Sequence, residues 1–210
     1  MILLEGVCVE LSRRAILKDV SVQLDDGLIH GIVGNNGSGK SVMFKTICGF
    51  IRPSRGKVTL DGVDYIAMHK FPGDMGLLIE SPGMLPECSG YENLMRLASI
   101  RGRISRSQVC EAISTVGLDP NDRRVIRKYS MGMKQRLGIA QAIMEDPKTL
   151  LLDEPLNGLD SAGVHEMREL FKGLRARGKT ILLTSHNPLD IEELCDTVCE
   201  MDAGVLRRVK

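Results

Sequence analysis

The segment Gly34-Asn35-Asn36-Gly37-Ser38-Gly39-Lys40-Ser41 follows a predicted β-strand, Ile29–Val33, and leads into a predicted helix over residues 40–49. It matches the pattern G-x-x-x-x-G-K-[ST], in which glycines let the backbone wrap closely around phosphate oxygens. Successive N–H groups and the helix N-terminus then point at the negative charge. In this pattern Lys40 is expected to reach the β- and γ-phosphates, and the Ser41 hydroxyl to ligate Mg²⁺. The segment therefore predicts a site for a nucleoside triphosphate.

A second apolar run ends in two acidic residues, Leu150-Leu151-Leu152-Asp153-Glu154-Pro155. Sheets of the α/β class bind ligands beyond the carboxyl ends of their strands, so both carboxylates are expected beside the phosphate-binding segment. Asp153 is predicted to hold Mg²⁺ through water. Glu154, on the opposite side of the extended chain, is predicted to orient and deprotonate an attacking water. The pair therefore predicts hydrolysis of the bound nucleotide.

The hydrophobic pattern predicts one α/β domain over residues 1–210. Strands are predicted at 2–11, 20–24, 29–33, 57–60, 75–79, 149–152, 180–183 and 197–201. Helices are predicted at 40–49, 90–101, 105–116, 130–145, 162–177 and 188–195. Because no convincing strand occurs between residues 82 and 145, a helical lobe over about 82–145 is expected within a core formed by 1–81 and 146–210.

The apolar runs also indicate how the strands pair. Uninterrupted runs such as 149–152 and 180–183 are typical of strands buried on both faces, as in a parallel sheet covered by helices. The alternation in Val7-Cys8-Val9-Glu10-Leu11 and the run over residues 20–33 instead indicate antiparallel pairing. A mixed sheet with an antiparallel N-terminal β part is therefore predicted.

Composition excludes some classes of partner. Lys and Arg number 28 against 27 Asp and Glu, and nucleic-acid-binding proteins usually carry a basic excess, so no nucleic-acid partner is expected. The six cysteines include no C-x-x-C pair, which indicates a reduced, cytosolic compartment. No run approaches the roughly 20 apolar residues that span a bilayer, so work at a membrane would need another chain as its anchor.

Three further motifs occur in order around the carboxylate pair: Tyr129-Ser130-Met131-Gly132-Met133-Lys134-Gln135-Arg136, Leu156-Asn157-Gly158-Leu159-Asp160 and Thr184-Ser185-His186. They resemble the signature motif, the D-loop and the switch-histidine segment of ABC (ATP-binding cassette) ATPases. With the two motifs above they run from residue 34 to residue 186, so the resemblance covers essentially the whole chain. It implies a P-loop NTPase core of the ABC ATPase type, with an inserted α-helical subdomain.

The resemblance also implies a head-to-tail dimer, either a homodimer or a heterodimer, with two ATP molecules trapped between its subunits. Ser130 and Gly132 would contact the γ-phosphate of ATP bound by the partner, through the N-terminus of their helix. His186 would contact the γ-phosphate of ATP in its own subunit. Asp160 would link the two sites.

From the same resemblance the chain is expected to be the ATPase motor of a transporter. The branch of the family that it resembles contains exporters, so an exporter is expected. The chain would lie in the cytoplasm, held to the inner face of the cell membrane by a separate permease. The permease would dock near residues 80–91, where the core meets the helical lobe. Leu85 and Tyr91 are candidate apolar contacts there, although each could equally belong to the core.

The sequence departs from the family pattern in its signature and its Q-loop. The signature is usually Leu-Ser-Gly-Gly-Gln, and Tyr129, Met131 and Met133 replace three of those residues. Because Ser-x-Gly-Met-Lys-Gln-Arg resembles the bacitracin and lantibiotic exporter branch, the change is interpreted as a character of that subfamily. Glu80 stands where the family has the Q-loop glutamine, and it is predicted to be a further Mg²⁺ ligand.

The adenine-stacking aromatic residue of the family is absent, because no Phe, Tyr or Trp occurs between Met1 and Gly34. Arg13 or Arg14 could stack on adenine through the guanidinium plane, or could simply be exposed in a turn.

Three other functions fit part of the pattern. A regulatory module that binds ATP without turnover would explain the altered signature, but Glu154 argues against it. A soluble ABC-type ATPase acting on DNA or ribosomes would resemble tandem or coiled-coil chains, for which 210 residues leave no room. A small-molecule kinase leaves the signature and the His186 segment unexplained.

Overall fold

The structure, a computed structural model, describes residues 1–80 and 83–210. The strands in these ranges are β1 (Ile2–Leu11), β2 (Arg14–Leu24), β3 (Ile29–Val33), β4 (Arg55–Leu60), β5 (Met75–Leu78), β6 (Thr149–Leu152), β7 (Thr180–Thr184), β8 (Thr197–Asp202) and β9 (Val205–Arg208). The α-helices are α1 (Lys40–Ile47), α2 (Gly90–Arg101), α3 (Arg106–Thr115), α4 (Met131–Ile143), α5 (Ser161–Ala176) and α6 (Pro188–Leu194). A short 3₁₀ helix, Ile126–Lys128, precedes α4.

The larger sheet has six strands in the order β5-β6-β7-β3-β8-β9. All neighbouring pairs in it are parallel except β8 and β9. Its inner strands are buried on both faces: Leu150 and Leu152 pack with the helices, whereas Leu151 packs with the N-terminal strands and α1. The apolar runs therefore predicted the covered parallel strands correctly, and the sheet is mixed.

The smaller sheet is antiparallel, with the order β2-β1-β4. It confirms the predicted antiparallel N-terminal β part. The prediction was wrong for β3, which pairs in parallel with β7 and β8 in the larger sheet. A turn after β2, around Asp26 and Gly27, carries the chain from one sheet to the other, so a run that looks continuous in the sequence is divided between two sheets.

Among the described residues, three α-helices, α2, α3 and α4, lie between β5 and β6 in the chain. Capping boxes start two of them: Ser89 with Glu92 begins α2, and Ser105 with Gln108 begins α3. These helices pack on one another and α4 packs on β5, so a lobe of helices adjoins the edge of the larger sheet. The predicted boundary between core and lobe at residues 81–82 lies outside the described residues.

Within the described ranges, no helix is both long and apolar enough to cross a membrane. All six cysteines are free, and burial raises the pKa of the Cys48 and Cys195 thiols to about 12. These two thiols therefore behave as small apolar groups of the core. No group of three His, Cys, Asp or Glu side chains is placed to hold a metal ion by itself among the residues described.

Strand β5 lies directly against helix α4. A Cβ built on Gly76 would be 2.0 Å from the carbonyl oxygen of Ala142 and 2.7 Å from Leu150 Cδ2. We therefore expect Gly76→Ala to lower the free energy of unfolding by about 3 kcal/mol, because two backbone segments must separate. Gly173→Ala is the control: that glycine is exposed on α5 with nothing within 4 Å, and alanine there should stabilise by up to about 1 kcal/mol. Equal urea midpoints for wild type and Gly76→Ala would contradict the packing.

Candidate functional site

The phosphate-binding segment lies between the carboxyl end of β3 and the first turn of α1, as the sequence predicts. Gly34 has φ 142°, and a Cβ at this position would be 2.1 Å from the carbonyl oxygen of Met201 on β8. Only glycine fits both the backbone angle and the contact. The neighbouring strand therefore fixes where the loop leaves the sheet.

Two polar side chains of this loop, Lys40 and Ser38, indicate what kind of group it can bind. The Lys40 ammonium, on a side chain that is almost buried, donates to the carbonyl oxygens of Gly34 at 2.6 Å and Asn35 at 3.0 Å. Ser38 Oγ is buried and has no hydrogen-bond partner among the described residues. Because a buried hydroxyl without a partner destabilises a fold, the loop fits an anion that accepts from it.

Asp153 is held by two hydroxyls from different elements. Ser41 on α1 donates to Asp153 Oδ2 at 2.7 Å, and Thr184 at the end of β7 donates to Asp153 Oδ1 at 2.7 Å. The Ser41 hydroxyl and the Asp153 carboxylate are hard oxygen donors of the kind that Mg²⁺ takes, and they are already adjacent. The two residues therefore fit a magnesium ion, although they lie 112 positions apart in the chain.

Glu154 and His186 are in direct contact. His186 Nδ1 lies 2.9 Å from Glu154 Oε2, and the histidine side chain is 70% exposed whereas the glutamate is 26% exposed. The backbone N–H of Glu154 donates to Thr184 Oγ1 at 2.8 Å, so one threonine orients both acidic residues. The Glu154 carboxylate therefore contacts an exposed imidazole, and the Glu154 backbone is held by its hydrogen bond to Thr184.

These side chains border two cavities, which lie along consecutive parts of the phosphate-binding loop. A cavity of about 370 Å³ is lined by Lys40, Ser41, Asp153 and Glu154 together with loop residues and Ile16 of β2. An adjoining cavity of about 740 Å³ brings His186 to the start of the same loop. Five residues that the sequence predicted for one site are therefore brought together.

The two arginines predicted as candidates for adenine stacking lie apart from the smaller cavity. Ile16 is the residue of β2 that borders the smaller cavity. Arg13 and Arg14 are exposed at the turn between β1 and β2 and are not among the residues that line it, within the described ranges. The sequence did not identify Ile16 as a residue of the site, because an isoleucine in a strand is ordinarily a residue of the core.

Ser130 and Asp160 each cap a helix. Ser130 Oγ accepts from Met133 N at 3.1 Å at the start of α4, and Asp160 Oδ1 accepts from Gly163 N at 2.9 Å at the start of α5. Neither borders the two cavities of its own subunit among the described residues. Their predicted contacts with ATP of a second subunit stay predictions.

The altered signature residues pack within the subunit. Met131 is 63% exposed and lies against Gly158, where a built Cβ would be 2.9 Å from Met131 Cγ. A Cβ on Gly132 would be 3.1 Å from the carbonyl oxygen of Gly158, so the start of α4 touches the D-loop segment. Tyr129 is buried, and burial raises the pKa of its phenol.

Within the described residues, Glu80 forms no hydrogen bond with Ser41 or Asp153. Its carboxylate pairs with Lys45 of α1 at 2.5 Å, and its backbone has φ 59°. Lys45 is one helical turn after Ser41, so both side chains leave the same face of α1. The negative charge that replaces a neutral glutamine is therefore balanced by a lysine that sequence reasoning did not identify.

The loop that carries His186 is supported by residues that local sequence patterns did not reveal. Asp190 on α6 accepts from Ser185 Oγ at 2.7 Å, and Arg168 on α5 forms a salt bridge with the same carboxylate. Asp190 is nearly completely buried, so the ion pair anchors α6 and the switch segment to α5. The 22 positions between Arg168 and Asp190 explain why no local motif marks the pair.

Comparison with known proteins agrees with this geometry. The family model described as ABC transporter matches residues 17–157. The uncharacterized ABC transporter ATP-binding protein YybJ of Bacillus subtilis is 39% identical over 197 residues, with 94% of this chain and 90% of that protein covered. The bacitracin transport ATP-binding protein BcrA of Enterococcus faecalis is 39% identical over 204 residues, with 96% of this chain and 66% of that protein covered.

Two further matches extend the comparison. The lantibiotic transport ATP-binding protein SrtF of Streptococcus pyogenes is 32% identical over 198 residues, with 94% of this chain and 85% of that protein covered. The fold matches the dimeric post-hydrolysis structure of the ATP-binding cassette MJ0796 bound to ADP and Pi, with a TM-score of 0.89 at 24% identity. That match covers 100% of this chain and 98% of the other. The chain thus belongs to the ABC transporter family, as one of its ATP-binding subunits.

Proposed function

We propose that this chain hydrolyses ATP and drives an exporter through a separate membrane permease. The observation that carries the proposal is a cluster of side chains beside a glycine-rich loop. Lys40, Ser41, Asp153 and Glu154 line one cavity there, and His186 contacts Glu154 from the neighbouring cavity. A subunit that only sensed ATP would need the loop and the lysine. It would not need a carboxylate held beside a histidine at the place where the γ-phosphate is expected.

In the proposed reaction the loop amides and Lys40 bind the phosphates of ATP and orient them. Glu154 orients a water molecule and accepts its proton during attack on the γ-phosphate. His186, at 2.9 Å from Glu154, contacts the γ-phosphate and keeps the carboxylate in place. Ser41 and Asp153 would hold Mg²⁺, which neutralises developing phosphate charge when bound.

We further propose that the active unit is a head-to-tail dimer, formed with a second copy or a related subunit. Ser130 and Gly132 at the start of α4 would close over ATP held by the partner, with the helix N-terminus directed at its γ-phosphate. Asp160 would connect the two sites from the start of α5. The dimeric MJ0796 cassettes, which share this fold, support the proposal.

The permease is proposed to dock near residues 80–91, where the core meets the helical lobe. Residues 81 and 82 of this range lie outside the described part of the chain. Leu85 is 48% exposed there, and Tyr91 accepts a hydrogen bond from Arg106 Nε at 2.8 Å. A groove of about 560 Å³ beside Tyr91 is lined by residues of α2, α3 and the following loop. Docking would place the chain on the inner face of the cell membrane.

The names of BcrA and SrtF suggest a peptide antibiotic or lantibiotic as cargo.

The experiment that tests the proposed function is steady-state hydrolysis of Mg-ATP by the purified chain, with wild type compared to Glu154→Gln. Turnover that depends on Glu154 supports a motor, whereas binding without turnover supports a regulatory module. Reconstitution with a candidate permease, followed by ATP-dependent export of a labelled peptide antibiotic, tests the transport step.

The role proposed for Glu80 is that of a Mg²⁺ ligand released from its pairing with Lys45. We expect Glu80→Gln to retain ATPase activity and to raise the Mg²⁺ concentration for half-maximal turnover several-fold, because an amide oxygen is a weaker ligand than a carboxylate. Glu87→Gln is the control, since Glu87 is an exposed carboxylate that pairs with Arg127 on the lobe. Identical magnesium titrations for wild type and Glu80→Gln would exclude the ligand role.

A further inference from the structure

The backbone of Glu154 has a conformation that is unusual for a residue with a side chain. Its φ is 50°, in the left-handed region that favours glycine. Residues held in such conformations persist when the surrounding structure fixes them, and they are concentrated at functional sites. The groups that fix Glu154 therefore determine where its carboxylate points.

Two side chains hold this residue from opposite ends. The N–H of Glu154 donates to Thr184 Oγ1 at 2.8 Å, and its carbonyl oxygen accepts from Gln135 Nε2 at 2.9 Å. The same carbonyl accepts more weakly from Asn157 N at 3.2 Å, within the D-loop turn. Thr184 belongs to the sheet, whereas Gln135 belongs to α4, so the helical lobe has a direct bond to the residue proposed as the base.

Helix α4 is the element whose first residues are proposed to face ATP of the partner subunit. Its N-cap is Ser130, and Gln135 follows five positions later, about 7.5 Å along the helix axis. A helix transmits a shift along its length as a rigid body. One helix therefore reaches both the proposed partner site and the Glu154 backbone of its own subunit.

The Gln135 amide is not what anchors α4. The neighbouring Arg136 donates to the carbonyl oxygen of Val116 at 2.7 Å and pairs with Glu166 at 2.7 Å. Leu137 and Ile139 are completely buried in the helical core. The helix is thus fixed by its arginine and its apolar face, and loss of the Gln135 amide leaves those contacts intact.

From this geometry we propose that Gln135 is a positioning residue, which holds Glu154 for attack on ATP in its own subunit and ties that position to the helix facing the partner's ATP. The inference rests on the proposed function. It adds Gln135 as a positioning residue and helix α4 as the connection between the two ATP sites. A shift of about 1 Å in a reacting group can change a rate roughly 10²-fold, so one hydrogen bond to the backbone is sufficient.

The test compares Gln135→Met and Gln135→Glu with Gln141→Met. Methionine keeps the length of the side chain without a donor, and ionised glutamate keeps its shape but repels the carbonyl oxygen. Gln141 lies on the same helix, and its side chain makes no hydrogen bond within residues 1–80 and 83–210. The measurements are kcat for ATP, Kd for Mg-ATP by nucleotide fluorescence, and the unfolding midpoint.

We expect kcat to fall about 10-fold in Gln135→Met and further in Gln135→Glu, because positioning of the base is lost. The Kd should stay within about twofold, and Gln141→Met should match wild type in every measurement. Unchanged kcat in folded Gln135 variants would overturn this inference alone. A fall in kcat that only follows weaker binding or partial unfolding would also overturn it. Wild type that binds Mg-ATP without turnover would overturn the proposed function and the inference together.

Discussion

Replacement of Glu154 by glutamine is expected to lower the turnover of ATP roughly 10²- to 10⁴-fold while Mg-ATP still binds. Glutamine keeps the size of the side chain and its contact with His186, but it cannot accept a proton from water. Binding is retained because Lys40 and the loop amides are unchanged. Phosphate release gives the rate, and nucleotide fluorescence gives the affinity.

The same variant also tests the proposed dimer. If closure on ATP precedes hydrolysis, Glu154→Gln should accumulate as a dimer in size-exclusion chromatography with ATP and remain a monomer without it. Glu169→Gln, an exposed position on α5 that pairs with Lys172, should behave as wild type in both experiments. Wild-type turnover in Glu154→Gln would remove Glu154 from the proposed chemistry.

Replacement of Lys40 by alanine is expected to raise the Kd for Mg-ATP roughly 10- to 10²-fold. The Lys40 ammonium is nearly buried and is held by two loop carbonyls, so it is already directed over the phosphate-binding loop. A hydrogen bond to a charged group contributes about 1.5–3 kcal/mol, and each 1.4 kcal/mol changes Kd tenfold. Isothermal titration calorimetry with Mg-ATP measures the change directly.

Lys172→Ala is the matched control, because Lys172 is a lysine on the exposed face of α5. It should leave the Kd unchanged. The Lys40 variant must also retain the wild-type circular dichroism spectrum, so that weaker binding is not a consequence of unfolding. Equal affinity in folded Lys40→Ala and wild type would contradict the proposed nucleotide site.

Much of the fold could be predicted because burial leaves a local signature. The runs at β6 and β7 are apolar throughout, since both faces of these strands are covered. Strand β9 was missed: it has four residues, two of them arginines, and only its pairing with β8 makes it a strand. Ala203 and Gly204, both with positive φ, form the tight turn between the two strands.

The phosphate-binding loop, the carboxylate pair and the helix starts follow from the sequence alone. In each of them the residues that act together are contiguous or one helical turn apart. Their positions in the sequence therefore predict that they are close in the structure. The family resemblance rests on the same contiguous motifs and is confirmed by the matched model and the relatives.

Tertiary structure decided which of these motifs touch and what holds them. Ser41 meets Asp153 across 112 positions, Lys45 balances Glu80 across 35, and Gln135 reaches Glu154 across 19. No periodicity encodes such pairs, because they depend on how strands order themselves in a sheet and how α4 packs on β5. The direction of β3 was decided in the same way, by the neighbours it acquires in the larger sheet rather than by its own residues.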